Sequence, residues 1–156
     1  MDGMLLVKSG KRACMDDKKR AALFTYINEF RCGVLSTADR EHGPEAAFIN
    51  LAVTPDLAIV FETLITSRKY RNLQTDPRAA LVIGGQGKTT LQIEGFVDEL
   101  VEVDVDEAIP LYYDACPQNL GHRNWPGLTY LRFRPHWIRY SDYGYPWKVE
   151  EYFLKG

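Results

Sequence analysis

Residues 89–103 read T-T-L-Q-I-E-G-F-V-D-E-L-V-E-V, and this stretch decides the fold class. Apolar and polar residues alternate along it, which is typical of a long strand with one covered face. Gly95 interrupts the apolar face in mid-strand, and an isolated strand glycine indicates a bulge or a close backbone approach. The stretch predicts a long antiparallel strand at the centre of a sheet.

The same alternation recurs on both sides of this strand. Short apolar runs separated by turn residues predict five more strands; they cover residues 34–38, 46–53, 57–61, 79–83 and 128–140. A helical period follows Asp16 and includes Leu23 and Ile27. Two further helices are expected at 67–74 and 104–116, with residues 1–15 as a loose arm. Together these elements predict one mainly β domain over residues 1–156, a six-stranded antiparallel barrel with flanking helices.

Composition sets the class of protein. The chain has 156 residues and a formal net charge of -2, and its basic residues are scattered, which argues against a nucleic-acid or membrane surface. Cys14, Cys32 and Cys116 are widely spaced, so we expect reduced thiols in a cytoplasmic protein. No segment reaches the roughly 20 apolar residues of a membrane span. His42, His122 and His136 are isolated, so no metal site is expected.

Two segments are candidates for a phosphate site. Residues 84–89 (G-G-Q-G-K-T) resemble a phosphate-binding loop, but Val82 replaces its leading glycine and a strand, not a helix, follows. We interpret this run as a hairpin. Ser67, Arg68 and Lys69 instead supply a hydroxyl, a helix start and two cations, which suit a dianionic phosphate. A capped surface helix with solvated cations is the alternative.

Read with its neighbours, the second segment resembles a family signature. Residues 61–83 (F-E-T-L-I-T-S-R-K-Y-R-N-L-Q-T-D-P-R-A-A-L-V-I) are similar to the pyridoxamine 5′-phosphate oxidase-like flavoproteins. These have a strand ending in aromatic-x-Thr, then S-x-K or S-R-K, a helix, an Asn/Asp-Pro pair and an apolar strand. Ile93-Glu94-Gly95 matches a later strand of the family, and the resemblance covers about residues 20–140.

The resemblance implies a six-stranded split barrel and a homodimer with an FMN at each of two interface sites. It implies that Ser67, Arg68 and Lys69 bind the phosphate and that Glu62 and Thr63 contact the flavin. Thr90 stands where the family often has a glutamine that reaches the ring. The strand expected to lie along the isoalloxazine is formed by Ala47, Phe48, Ile49 and Asn50.

Departures from the family pattern limit the activity that the resemblance implies. True pyridoxamine phosphate oxidases end with an E-F-W-Q-G motif, but Ser141 occupies the tryptophan position here and no R-L-H motif follows. Vitamin B6 oxidation is therefore not implied. The expected function is an FMN-dependent oxidoreductase that passes a hydride or electrons through flavin N5 to a small molecule, with a nicotinamide as a possible partner. The alternative is a storage, sensing or stress protein that binds flavin, deazaflavin F420 or haem, and a binding module without cofactor is the third reading.

Overall fold

A computed structural model describes residues 15–39, 41, 43–85, 87–101 and 103–154. In the described residues one curled antiparallel sheet carries three α-helices and a 3-10 helix. The strands are β1 (Cys32–Asp39), β2 (Gly43–Asn50), β3 (Ala52–Val53), β4 (Ile59–Leu64), β5 (Arg78–Gly84), β6 (Thr89–Glu99), β7 (Leu128–Asp142) and β8 (Lys148–Phe153). The helices are α1 (Asp17–Phe30), α2 (Arg68–Thr75), α3 (Val103–Ala115) and the 3-10 helix Pro117–His122.

The strand order is β2-β1-β5-β6-β7-β4-β3, and β8 pairs with β7. The two ends of this path, β2 and β3, are joined through Leu51, so one bent chain segment links both edges and curls the sheet. The mainly β, split-barrel architecture predicted from the sequence is confirmed. The expected count of six strands is wrong, because the run 46–53 bends at Leu51 into two strands and the aromatic tail adds β8.

The long strand was expected to continue to Val103, but it ends at Glu99 and α3 begins at Val103. Up to Val97 the alternation holds, with Leu91, Ile93 and Val97 buried. The predicted irregularity is also present, because the pairing with β7 shifts register between Glu94 and Gly95.

Two apolar clusters fill the two sides of the sheet. The inner one lies inside the curl, contains Phe61 and Phe133, and is covered by α1 through Ile27. The outer one lies between β4, β7 and α3 and contains Tyr112 and Tyr130. The predicted arm 1–15 falls largely outside the described residues, but Met15 is buried in the inner cluster and is not loose.

Candidate functional site

The start of α2 brings the predicted phosphate residues together. Ser67 is the N-cap, and its Oγ accepts a hydrogen bond of 3.2 Å from the Tyr70 N–H. The same oxygen lies 3.0 Å from Thr63 Oγ1, at the end of β4. A strand, a tight turn and a capped helix therefore hold the two hydroxyls next to each other.

The two cations of this turn have different environments. Arg68 is largely exposed, and its Nε lies 4.0 Å from Glu45 Oε2. Lys69 is half-buried, and within the described residues it makes no ion pair. Since the first turn of α2 holds no acidic residue and Lys69 makes no ion pair with the described part of the chain, Lys69 and the helix dipole offer positive charge at this turn.

A polar cluster lies beneath this turn. The buried Asn72 donates from Nδ2 to Thr37 Oγ1 (3.0 Å) and to Glu45 Oε2 (3.1 Å), which fixes the orientation of its amide. Asn72 Oδ1 is then a buried acceptor that has no hydrogen-bond partner among the described residues. Such orphaned acceptors are rare in proteins and are often satisfied by water or a ligand.

An open groove of about 1200 Å³ runs along the same side of α2. It is lined by Ala38, Asp39, Glu41, Arg68, Arg71, Asn72, Thr75, Asp76 and Arg78. The volume exceeds the roughly 300–1,000 Å³ of ordinary small-molecule sites, so a nucleotide-sized cofactor can be accommodated. Three arginines give the groove its cationic side, although Arg78 is already paired with Asp76 at 2.6 Å.

The predicted ring-contacting residues divide between the two faces of the sheet. Thr63, Ile49 and, by alternation, Ala47 face the interior of the curl. Phe48 points outward and is 68% exposed. Asn50 and Glu62 also lie on the outer face, where they contact the segment after α3.

Thr90 is not brought to the other predicted residues of its own chain. It pairs with Ser141 of β7, whereas Glu62 pairs with Tyr130 of the same strand. Residues 130 and 141 are eleven positions apart, and at roughly 3.3 Å per residue this corresponds to ~36 Å of strand path. Within one chain Glu62 and Thr90 therefore lie beside opposite ends of β7.

Sequence reasoning missed a polar network on the outer face. His122 Nδ1 lies 3.0 Å from Glu62 Oε1, and Tyr113 Oη donates to Glu62 Oε2 at 3.1 Å. The Tyr113 and Tyr130 hydroxyls are 2.8 Å apart. Burial, followed by the hydrogen bond with Tyr130, raises the pKa of Tyr113 well above that of a free phenol. The sequence separates Glu62 and His122 by sixty positions, so no local pattern could reveal the pair.

The remaining predictions concern the glycine run, metal binding and membrane spans. The run 84–89 is a hairpin link between β5 and β6, with Gly84, Gly85 and Gly87 at positive φ. Within the described residues no group of three or more His, Cys, Asp or Glu could hold a metal, and no helix could span a membrane. Cys14 and His42 lie outside the described residues.

Comparisons with known proteins agree with this architecture. A family model described as pyridoxamine 5′-phosphate oxidase matches residues 20–142. No curated protein sequence matches the chain.

Solved structures resemble the chain in fold at low sequence identity. A haem binding protein from Mycobacterium smegmatis is 18% identical, with a TM-score of 0.74 over 90% of this chain; the match covers 59% of that protein, so this chain spans about three fifths of it. General Stress Protein 26 from Bacillus anthracis str. Sterne is 20% identical, with a TM-score of 0.68 over 86% of this chain and 98% of its own. HutZ, the haem storage protein from Vibrio cholerae, is 12% identical, with a TM-score of 0.57 over 74% of this chain and 88% of its own.

The family model covers most of the chain. The chain belongs to the pyridoxamine 5′-phosphate oxidase family.

Proposed function

We propose that this protein binds FMN and uses it to exchange a hydride or electrons with a small organic molecule. The observation that carries the proposal is the start of α2, where Ser67, Arg68 and Lys69 are grouped at the positive end of a capped helix. Hydroxyls, cations and free helix N–H groups are the parts that hold a phosphate dianion. Arg68 also lines the adjoining groove, whereas the residues expected to contact the ring lie outside that groove, on β2 and β4.

The residues at the start of α2 fit the phosphate of this group in charge. Glu45 places one carboxylate near Arg68, where it accepts hydrogen bonds from Asn72 and Thr37 and offsets part of the arginine's charge. Lys69 then supplies the main uncompensated charge for the phosphate. When bound, FMN would supply two-electron chemistry at its ring, and the protein would supply binding, orientation and electrostatics.

We further propose that two chains complete each site. Thr90 can join Glu62 and Thr63 only from a second copy, because the path along β7 separates them within one chain. An exposed apolar row supports the same arrangement. Val34 pairs with both Phe48 and Val82, and the three outward side chains are 40%, 68% and 43% exposed. We call these three residues the outer patch.

Calorimetry with FMN and riboflavin tests the phosphate assignment. Charge-assisted hydrogen bonds contribute roughly 1.5–3 kcal/mol each, so riboflavin, which lacks the phosphate, should bind at least about a hundredfold more weakly. The absorption spectrum of the purified protein, followed by extraction of the chromophore, identifies what is bound. Equal affinity for the two flavins would contradict the phosphate site.

A second candidate is a haem-binding role in storage or sensing. It is favoured by the two solved structures that are described as haem-binding proteins. F420 is a third possible chromophore from the family resemblance. A Soret band in place of flavin absorption would select haem, and rapid bleaching of a bound flavin by NADH or NADPH would select the oxidoreductase over a storage protein.

A further inference from the structure

The 3-10 helix Pro117–His122 is tied to both strands that are proposed to line the cofactor ring. Asn50 Nδ2 of β2 donates to Asn119 Oδ1 at 3.3 Å, and Asn119 Nδ2 donates to Tyr112 Oη at 2.7 Å. Three residues later, His122 Nδ1 contacts Glu62 of β4 at 3.0 Å. The segment is therefore fixed against the outer face, and His122 has a defined place beside β4.

Glu62 determines which ring nitrogen of His122 is available. Its side chain is only 8% exposed, and a buried carboxylate needs hydrogen-bond donors. An ionised carboxylate accepts only, so the neutral imidazole must present Nδ1–H to it. The Tyr113 phenol, whose pKa is raised by burial, remains protonated and supplies the second donor. The lone pair of a neutral His122 is then on Nε2.

Nε2 is the ring nitrogen of His122 that does not contact Glu62. Within the described part of the chain no protein group hydrogen-bonds it, and the His122 side chain is 37% exposed. The Trp125 ring lies against the imidazole, with centroids 4.2 Å apart, and limits its rotation. An imidazole oriented by a buried carboxylate, with its second nitrogen accessible, is the arrangement that proteins use for general acid–base catalysis.

We propose that His122 exchanges a proton with the redox substrate through Nε2 and that Glu62 is its positioning residue. The inference rests on the proposed function, because the ring site on β2 and β4 places the reaction beside this pair. Reduction of a carbonyl, an imine or a quinone takes up a hydride, which the reduced flavin would supply when bound, and one proton on the heteroatom. Protonated His122 gives that proton from Nε2, keeps Nδ1–H on Glu62, and regains a proton from solvent. The substrate class is thus an oxidised, unsaturated compound with a heteroatom to protonate.

The first test needs no cofactor. Two-bond ¹⁵N–¹H NMR correlations report the tautomer of each histidine in the unloaded protein. We expect neutral His122 to carry its proton on Nδ1, and Glu62→Gln to shift the population toward Nε2–H. A wild-type His122 protonated on Nε2 would overturn the proposal, since no basic nitrogen would face the substrate.

The second test compares the protein with and without FMN. Diethyl pyrocarbonate reacts with accessible neutral imidazole, and peptide mass spectrometry locates the product. We expect FMN to slow modification of His122 at least fivefold and to leave His136, which lies on β7 beside Phe96, unchanged. Undiminished modification of His122 in FMN-loaded protein would overturn the inference while leaving the proposed function intact. Failure of FMN to bind at all would overturn the proposed function, and the inference with it.

The third test is kinetic and uses 1,4-benzoquinone as the substrate. FMN-loaded protein is reduced with dithionite and mixed with the quinone while flavin absorbance is followed. General acid catalysis contributes typically 10²–10⁴-fold, so His122→Asn should reoxidise at least about tenfold more slowly at unchanged FMN affinity. His136→Asn is the matched control and should match wild type. Added imidazole should restore part of the rate to His122→Ala; equal rates in wild type and His122→Asn would count against the proposal.

Discussion

Each of the two candidate phosphate segments in the sequence contains a lysine, Lys69 or Lys88, and the surroundings of these two lysines differ. Lys69 lies in the first turn of α2, half-buried and near the capping hydroxyl of Ser67. Lys88 is exposed in the link between β5 and β6, and its carbonyl accepts a hydrogen bond from Tyr143 N–H. A solvated ammonium in such a turn contributes little to binding, whereas a cation at a helix start adds to the dipole.

We therefore expect Lys69→Ala to weaken FMN binding at least tenfold, with a larger loss when Arg68 is also replaced. Tenfold corresponds to about 1.4 kcal/mol. Lys88→Ala is the control and should stay within about threefold of wild type by calorimetry. If Lys88→Ala releases the flavin and Lys69→Ala does not, the assignment of the phosphate site is wrong.

Cys116 illustrates how burial changes the chemistry of a single side chain. It is fully buried, and its Sγ donates to the Leu51 carbonyl at 3.4 Å. Burial raises the pKa of the thiol from 9.0 to about 11. The unfolded thiol loses its proton near pH 9 while the folded one keeps it, so this group lowers the free energy of unfolding as pH rises from about 9 to 11.

Iodoacetamide labelling at pH 8 should modify the half-buried Cys32 faster than Cys116, and denaturant should abolish the difference. Peptide mapping separates the two sites. Cys116→Ala should also make the loss of stability above pH 9 shallower, as measured by urea unfolding. Equal labelling rates in the native protein would show that Cys116 is accessible.

At the scale of elements, the bulge in the long strand depends on the absence of a side chain at Gly95. Gly95 pairs with Pro135 and Glu94 with Trp137, so His136 is the extra residue on β7. A Cβ at position 95 would lie 2.2 Å from the Arg134 carbonyl oxygen and 2.9 Å from the Phe133 ring. Both neighbours belong to the packed sheet and cannot move freely.

Gly95→Ala should therefore lower the free energy of unfolding by about 2–3 kcal/mol, at the upper end of ordinary overpacking. Urea unfolding followed by circular dichroism measures it. Gly121→Ala is the control, because nothing lies within 4 Å of a Cβ built there, and it should change stability by less than about 0.5 kcal/mol. A neutral Gly95→Ala would mean that β6 and β7 do not meet in this register.

At the scale of the whole molecule, the bent segment from β2 to β3 connects the two edges of the sheet. Leu51 at the bend is fully buried, and its N–H bonds to the Arg31 carbonyl at 3.0 Å. The curl places the outer patch on the convex side of β2, β1 and β5. Contiguous exposed apolar side chains of this kind are typical of interaction sites.

We expect light scattering at micromolar concentration to give about twice the chain mass of 17.9 kDa. Phe48→Asp should shift the protein toward monomer and weaken FMN binding in parallel, because a charge would enter the apolar interface. Tyr145→Asp, at a side chain 99% exposed in the loop before β8, should leave the mass unchanged. A wild-type mass near 18 kDa alone would contradict the dimer.

The elements with a strong local signal could be predicted from the sequence. Three features follow from hydrogen bonding and periodicity between near neighbours: the helical period after Asp16, the alternation from Leu91 to Val97 and the hairpin at the glycine run. The end of β6 at Glu99 and the strand β8 were missed. Beyond Glu99 the apolar period continues, and in the aromatic tail around β8 it is obscured. In both places, pairing with a distant strand decides which residues form the strand.

The candidate site was likewise predictable from the sequence only in part. The sequence by itself determined the turn at Ser67, Arg68 and Lys69, because a cap, a helix start and two cations are consecutive residues. Only the tertiary structure paired Glu62 with His122 and separated Thr90 from both. Contacts between residues far apart in the chain depend on strand order and register, which local periodicity does not encode.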